Sequence, residues 1–348
     1  MLEAKIKFFD IRKCGFYQRA KDTPEFGEIT DILSKLKNWA GGFDKLVNTT
    51  TYELDPNNPD ILNTYFCNWT RNTATKDSLL ILWNEVKNDN GAIYGLNPNK
   101  APGSTEMLKT GFGKTPAIPG FPSYFWFIPE RNVFATVTFS HSMQGKGQLD
   151  RYLNGFLSNK SPYRVINDEG EVIGYSEKGK PTANSPQVMP KFWAVSRKRD
   201  ELSDELITNL GNIRKLIKRE VLNYSVEDDR KYVERLFSKL LKNNPSYVGK
   251  GMITHELDYR PSEDELKSII KNYDDLAVTS SIRNVGFVYK DGKRVMLNGI
   301  NVATTREIKV SRKDNQIVPA EKLLAALVVK RTDLLRVLDE PDDESSED

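Results

Sequence analysis

Gly120-Phe121-Pro122-Ser123-Tyr124-Phe125-Trp126-Phe127 leads to a polar break at Pro129-Glu130-Arg131-Asn132 and then to Val133-Phe134-Ala135-Thr136-Val137-Thr138-Phe139. Aromatic and β-branched runs on either side of a short polar break predict a β-hairpin. Just downstream, Leu149, Tyr152, Leu153, Phe156 and Leu157 recur at helical spacing, so residues 148–157 predict a helix able to lie across that hairpin. Alternation of Phe125, Trp126 and Phe127 would turn one strand face to the core and leave the other open to base stacking.

Outward from this centre, residues 5–17 predict a strand and 29–39 a helix stopped by Gly41-Gly42. Residues 63–69 predict a strand, 76–86 a helix, and 88–119 a long loop with little periodicity. Residues 165–173 predict another hairpin, and the Pro/Gly/Ser/Lys-rich stretch 176–190 marks a domain boundary. Beyond it lie a strand at 192–195, helices at 204–222 and 227–241, and a helix opened by the capping box Ser262-x-x-Glu265. Strands are predicted at 276–280, 285–289, 294–297 and 304–310, with Asp291-Gly292 as a type I′ turn. A closing helix spans 323–338, docked by Leu323, Leu324, Leu327 and Val328. Strand runs broken by single helices predict an α+β fold with antiparallel sheets: an N-terminal domain over 1–180, a basic C-terminal domain over 181–338, and an acidic disordered tail over 339–348.

The words around the hairpin, Gly-Phe-Pro-Ser-aromatic, resemble those of the RexA-type superinfection-exclusion proteins of temperate phages. The likeness continues at Gly15-Phe16-Tyr17 with its charged loop and the Ile29-Ile32-Leu33-Leu36 periodicity. Thr64-Tyr65-Phe66, Thr70-Arg71-Asn72-Thr73 and Lys76-Asp77-Ser78-Leu79 follow in the same order. It covers about the first half of the chain; the second half is similar in layout only. The resemblance implies a homodimeric DNA-binding protein of a prophage abortive-infection (antiviral defence) system, with an architecture distantly similar to the RdgC proteins. It also implies a separate membrane protein as effector.

Composition fits that expectation. The 348 residues are 38% hydrophobic and 28% charged, the profile of a globular chain, and no apolar run is long enough for a membrane span. Cys14 and Cys67 are too few for a disulfide framework, and the opening residues lack a signal-peptide core, so a cytoplasmic protein without direct membrane insertion is expected. The net charge of +3 hides seven carboxylates in the last ten residues; without them the body stands at +10. Such a tail either competes with phosphate for the basic surface or simply solubilises the chain.

The expected contacts to double-stranded DNA are two basic groups. Lys191, Arg197, Lys198 and Arg199 precede Arg214, Lys215, Lys218 and Arg219, which would line the open face of the 204–222 helix; several cations on one face release counterions from phosphate together. A second group, Lys290, Lys293, Arg294, Arg306, Lys309, Arg312 and Lys313, sits on the later hairpins, where outward lysines also serve to block edge pairing; its last four are the expected contacts. No helix-turn-helix or zinc finger is recognisable, so binding would be nonspecific in sequence. The alternative is a metal-dependent defence nuclease built on Asp291, Glu307 and Lys309, a loose Asp…Glu-x-Lys outline. Gly111-Phe112-Gly113-Lys114-Thr115 lacks the first glycine of a phosphate loop, and His141 and His255 have no Cys or His at ligand spacing. No catalytic residue, metal or cofactor is expected.

Overall fold

The computed structural model describes residues 1–87, 94–103, 106–108, 116–140, 142–180, 187–198, 200–223, 231–232, 235, 250–279, 282–297, 302–312 and 316–339. The chain divides into two compact units, Met1–Arg197 with Ala303–Glu340, and Lys198–Val302. Helices packed on antiparallel sheets make the fold α+β.

The first unit is built on one large sheet. Its strands are β1 (Leu2–Gln18), β2 (Thr64–Arg71), β3 (Ser78–Glu85), β4 (Tyr94–Leu96), β5 (Ile118–Ile128), β6 (Val133–Thr138) and β9 (Val188–Ser196), with β7 (Arg164–Ile166) and β8 (Val172–Tyr175) forming a separate hairpin. A late strand, β14 (Ala303–Ile308), joins the same sheet, whose order is β14-β1-β6-β5-β3-β2, with β4 on β5 and β9 on β1.

The expected central hairpin is β5 and β6, paired from Tyr124 opposite Val137 to Ile128 opposite Val133. Asn132 closes the turn in the left-handed region and donates from Nδ2 to the Ile11 carbonyl. Helices cover both faces of this sheet. On one side, α1 (Ile29–Ala40) and α2 (Lys146–Gly155), continued by a π turn at Phe156–Lys160, pack Leu36, Leu149, Leu153 and Phe156 onto Phe125, Phe127, Leu80 and Leu82. On the other, Tyr124 accepts a hydrogen bond from the Val318 amide and Trp126 donates to Asp77. Trp126 and its strand neighbours are therefore wholly buried, and the expected base-stacking face of this strand is closed.

Burial on both faces also explains why residues 78–85, within the helix expected over 76–86, form a strand. Leu79-Leu80-Ile81-Leu82-Trp83 is apolar throughout because each side chain meets a helical layer, and such a short run carries no period to separate strand from helix. Gly120, from the stretch that carries the resemblance, is a packing requirement of β5: a Cβ there would lie 2.2 Å from the Asn84 carbonyl oxygen.

The second unit holds α3 (Asp200–Thr208) and α4 (Glu263–Thr279) against a sheet of β10 (Ile213–Asn223), β11 (Lys250–Asp258), β12 (Ile282–Tyr289) and β13 (Arg294–Met296) in the order β11-β10-β12-β13. The expected helix at 204–222 breaks after Thr208. A 3₁₀ turn at Leu210–Asn212 redirects the chain, and the following residues are strand because β11 and β12 pair with them on both edges. The capping box forms as expected: the Ser262 amide donates to the Glu265 carboxylate and the Glu265 amide to Ser262 Oγ. Its helix runs on through 276–279, which were expected as strand, because Leu266, Ile270 and Tyr273 hold it on the sheet. The hairpin at Asp291-Gly292 has a three-residue loop: Gly292 alone is left-handed, its amide donates to the Tyr289 carbonyl, and Tyr289 donates to Lys293 O.

Domain limits differ from the expected 1–180 and 181–338. The stretch at 176–190 falls inside the first unit, its last residues, 188–190, already opening β9, and residues 303–338 belong to that unit too. The closing helix is two helices, α5 (Ala320–Val329) and α6 (Arg331–Arg336), broken at Lys330. Residues 227–241 (apart from 231, 232 and 235), 111–115, His141 and the tail beyond 339 lie outside the described residues. No helix among the described residues is long and apolar enough to cross a membrane.

Candidate nucleic-acid interface

The basic residues expected on a helix face are instead distributed over a strand. Lys215 and Arg219 share one side of β10 and Lys218 the other, since pairing with β11 is regular from Lys215 onward. Carboxylates already meet two of them. Lys215 Nζ is 3.5 Å from Glu256, which also binds Arg294 at 2.7 Å, and Lys218 Nζ is 2.8 Å from Glu220. The hydrogen bond from Lys218 holds the Glu220 carboxyl below its usual range, with His255 assisting at 3.0 Å. Arg214 donates to the Ile213 carbonyl, and Lys198 Nζ donates to the Ile270 carbonyl at 2.6 Å. This unit holds 19 Lys and Arg against 17 Asp and Glu, so little positive field remains.

The basic excess lies elsewhere. Up to residue 338, the first unit has 32 Lys and Arg against 24 Asp and Glu. Lys309 is exposed between buried Ile308 and Val310, as alternation predicts. Arg306 is exposed on β14, 3.8 Å from Asp333. Arg312 donates to the Gln316 carbonyl, and Arg197 pairs with Asp10 at 3.1 Å. Arg199 and Lys313 lie outside the described residues. The nuclease outline is not assembled within either unit: Asp291 belongs to the second and Glu307 with Lys309 to the first. Among the described residues no three His, Cys, Asp or Glu side chains gather as a metal site.

Lys191 is brought into a setting that its charge alone does not reveal. It lies on β9, which pairs with the second half of β1 from Phe9–Ser196 to Gln18–Val188. Phe192 and Ala194 point inward to the core, while Met189, Lys191 and Trp193 stand outside; Met189 is 67% and Trp193 47% exposed. The Lys191 ammonium sits 5.9 Å from the Trp193 ring centre. A bulge in β1 between Ile11 and Lys13 leaves two successive cations, Arg12 and Lys13, outside the buried side, and Lys13 is directly opposite Trp193. Lys13 also lies over the Tyr17 ring and pairs with Asp22. The signal was present in the sequence as parity: Met189-x-Lys191-x-Trp193 puts two large apolar side chains in register with a lysine, opposite Phe192 and Ala194.

The remaining chemistry is structural. Burial pushes both thiols, Cys14 and Cys67, well above the ordinary range and leaves them unreactive. Asp77, wholly buried, accepts from Trp126 Nε1 at 3.1 Å and Arg331 Nε at 3.0 Å, and Arg331 reaches Glu130 at 2.8 Å. That network fastens α6 to the central sheet. No protein-family model matches the chain, and a search of curated proteins finds no significant match.

Proposed function

We propose that this chain is a sequence-nonspecific DNA-binding protein of a phage-exclusion or abortive-infection system, with no chemical step of its own. In this reading it acts in the cytoplasm as a homodimer, engages duplex DNA in phage replication or recombination intermediates, and signals to a separate membrane effector. The observation that carries DNA binding is the charge distribution: the cation excess is concentrated in the first unit and stands on its surface, at Lys191 and Arg306 on strands and at Lys309 just past the end of β14. Such a surface neutralises phosphates without reading base edges. The exclusion role, the dimer and the RdgC-like architecture rest on the resemblance of the N-terminal half to RexA-type proteins.

Fluorescence anisotropy with two unrelated duplexes of about 30 bp tests it, because phosphate contacts make affinity fall by orders of magnitude between about 50 and 200 mM salt. The expected result is equal affinity for both duplexes with a steep salt slope. No binding at low salt, or a flat slope, overturns the reading.

A further inference from the structure

The ribbon formed by β1 and β9 has a composition that a phosphate contact alone does not need. A tryptophan ring half open to solvent is unusual on an outward strand face, and Trp193 shares that face with an exposed methionine and a lysine. Its inner side is anchored by Phe192, Ala194, Cys14 and Phe16, all buried in the core, so the ring is carried on a rigid support. Arg12 and Lys13 stand directly beside it on the partner strand. The nearby carboxylates are already engaged: Asp10 by Arg12 and Arg197, Asp22 by Lys13. An aromatic platform flanked by cations fits a chain of alternating bases and phosphates whose bases are unpaired, because a base inside a duplex has no free face to stack.

We infer that the β1–β9 ribbon is a contact for single-stranded nucleic acid, in which Trp193 stacks on an unpaired base and Lys191 and Arg12 hold the flanking phosphates. This deepens the DNA-binding reading and rests on it: the chain recognises intermediates by their exposed single strands in addition to binding duplex. Alternation along β9 is what makes the platform, since Trp193 and Lys191 must share a face while Phe192 holds the strand down.

The test uses the full chain with Trp193→Ala, Trp193→Phe and Trp193→Thr, the last keeping strand propensity should alanine loosen the edge. Affinities for an oligo-dT single strand and a duplex of equal length are read by anisotropy, and tryptophan emission is followed during single-strand titration. Stacking loss of about 1–3 kcal/mol per base predicts a single-strand affinity about 5- to 150-fold weaker for Trp193→Ala and Trp193→Thr, with duplex affinity within about twofold. Trp193→Phe should retain most of the affinity while losing the quenching of emission expected of the native chain. Equal loss on both DNA forms, or no loss on the single strand, overturns the inference. Duplex binding without single-strand binding by the native chain overturns it while the DNA-binding reading survives; binding to neither overturns both. Conversion of a dimer to a monomer by Trp193→Ala, with single-strand affinity unchanged, overturns it in favour of a subunit contact.

Discussion

Asp77 shows how a single buried charge organises this chain. Burial raises its carboxyl above the ordinary value of 3.8, with the Arg331 and Trp126 hydrogen bonds pulling the other way. The folded state therefore holds the Asp77 proton more tightly than the unfolded chain does. Its charged form weighs against folding increasingly as pH rises from about 3.8 to the raised folded value, and by a constant amount above that. In urea titrations across that window, the stability of the native chain should fall relative to Asp77→Asn; a constant difference would contradict this. Removing the cation is worse than removing the pair. Arg331→Met should cost about 3 kcal/mol because a buried carboxylate keeps only the Trp126 hydrogen bond and no cation, and Asp77→Asn in the same chain should restore part of it. Simple additivity in that double-mutant cycle would show the pair to be uncoupled. Gly120→Ala should destabilise by a comparable amount through its clash with Asn84, read as a lowered Tm. Neither role was legible beforehand. Asp77 and Gly120 stood only as letters in short family-like words, since their partners, Arg331 and Asn84, are distant in sequence.

Among the elements, legibility followed local signals more than exposure. β1, α1 and α2 have a patterned face, and β5 and β6, buried on both faces, are betrayed by the polar break Pro129-Glu130-Arg131-Asn132 between aromatic and β-branched runs. β3 could not be read, because it is buried on both faces and its Leu-rich run carries neither a period nor such a break. β10 failed for the opposite reason: Leu206, Leu210, Ile213 and Ile217 keep helical spacing across a break that Gly211-Asn212 marks only weakly. The consequence is functional, because cations expected together on a helix lie on both sides of a strand, with carboxylates meeting two of them. Replacing Arg214, Lys215, Lys218 and Arg219 by threonine, which keeps strand propensity, should weaken duplex binding by less than about threefold at moderate salt, since the change acts mainly through the long-range field. A loss beyond about tenfold would relocate the contact to β10. Glu220 gives this sheet its acid sensitivity. Its folded carboxyl lies below the reference 4.5, so its stabilising effect is present above that pH and is lost as pH falls through the depressed value. Glu220→Gln should therefore lose less stability than the native chain on acidification below about pH 4.5, as followed by circular dichroism.

At the scale of the whole molecule, the second unit is an insertion between neighbouring rungs of one strand. The Arg197 amide donates to the Phe8 carbonyl, and Ala303 stands opposite Lys7, so the chain leaves and re-enters the first unit along β1. The Pro/Gly-rich stretch at 176–190 points to a boundary close by, but nothing local in residues 303–308 says that they return to pair with Leu2–Lys7, so their unit is not legible in the sequence. Covalent order alone then predicts that the insertion is removable. Residues 198–302 replaced by a short Gly/Ser linker should leave the first unit folded, with its sheet, both helical layers and the Asp77–Arg331 tie intact, because a loop whose ends are already adjacent costs little entropy to close. Far-UV circular dichroism and a cooperative melt would check the fold, and loss of cooperativity would show the two units to be one folding entity. The same deletion chain carries Trp193, Lys191, Arg12, Arg306 and Lys309, so it should retain most of the single-strand and duplex affinity; if it folds cooperatively yet binds neither, the interface belongs to residues 198–302.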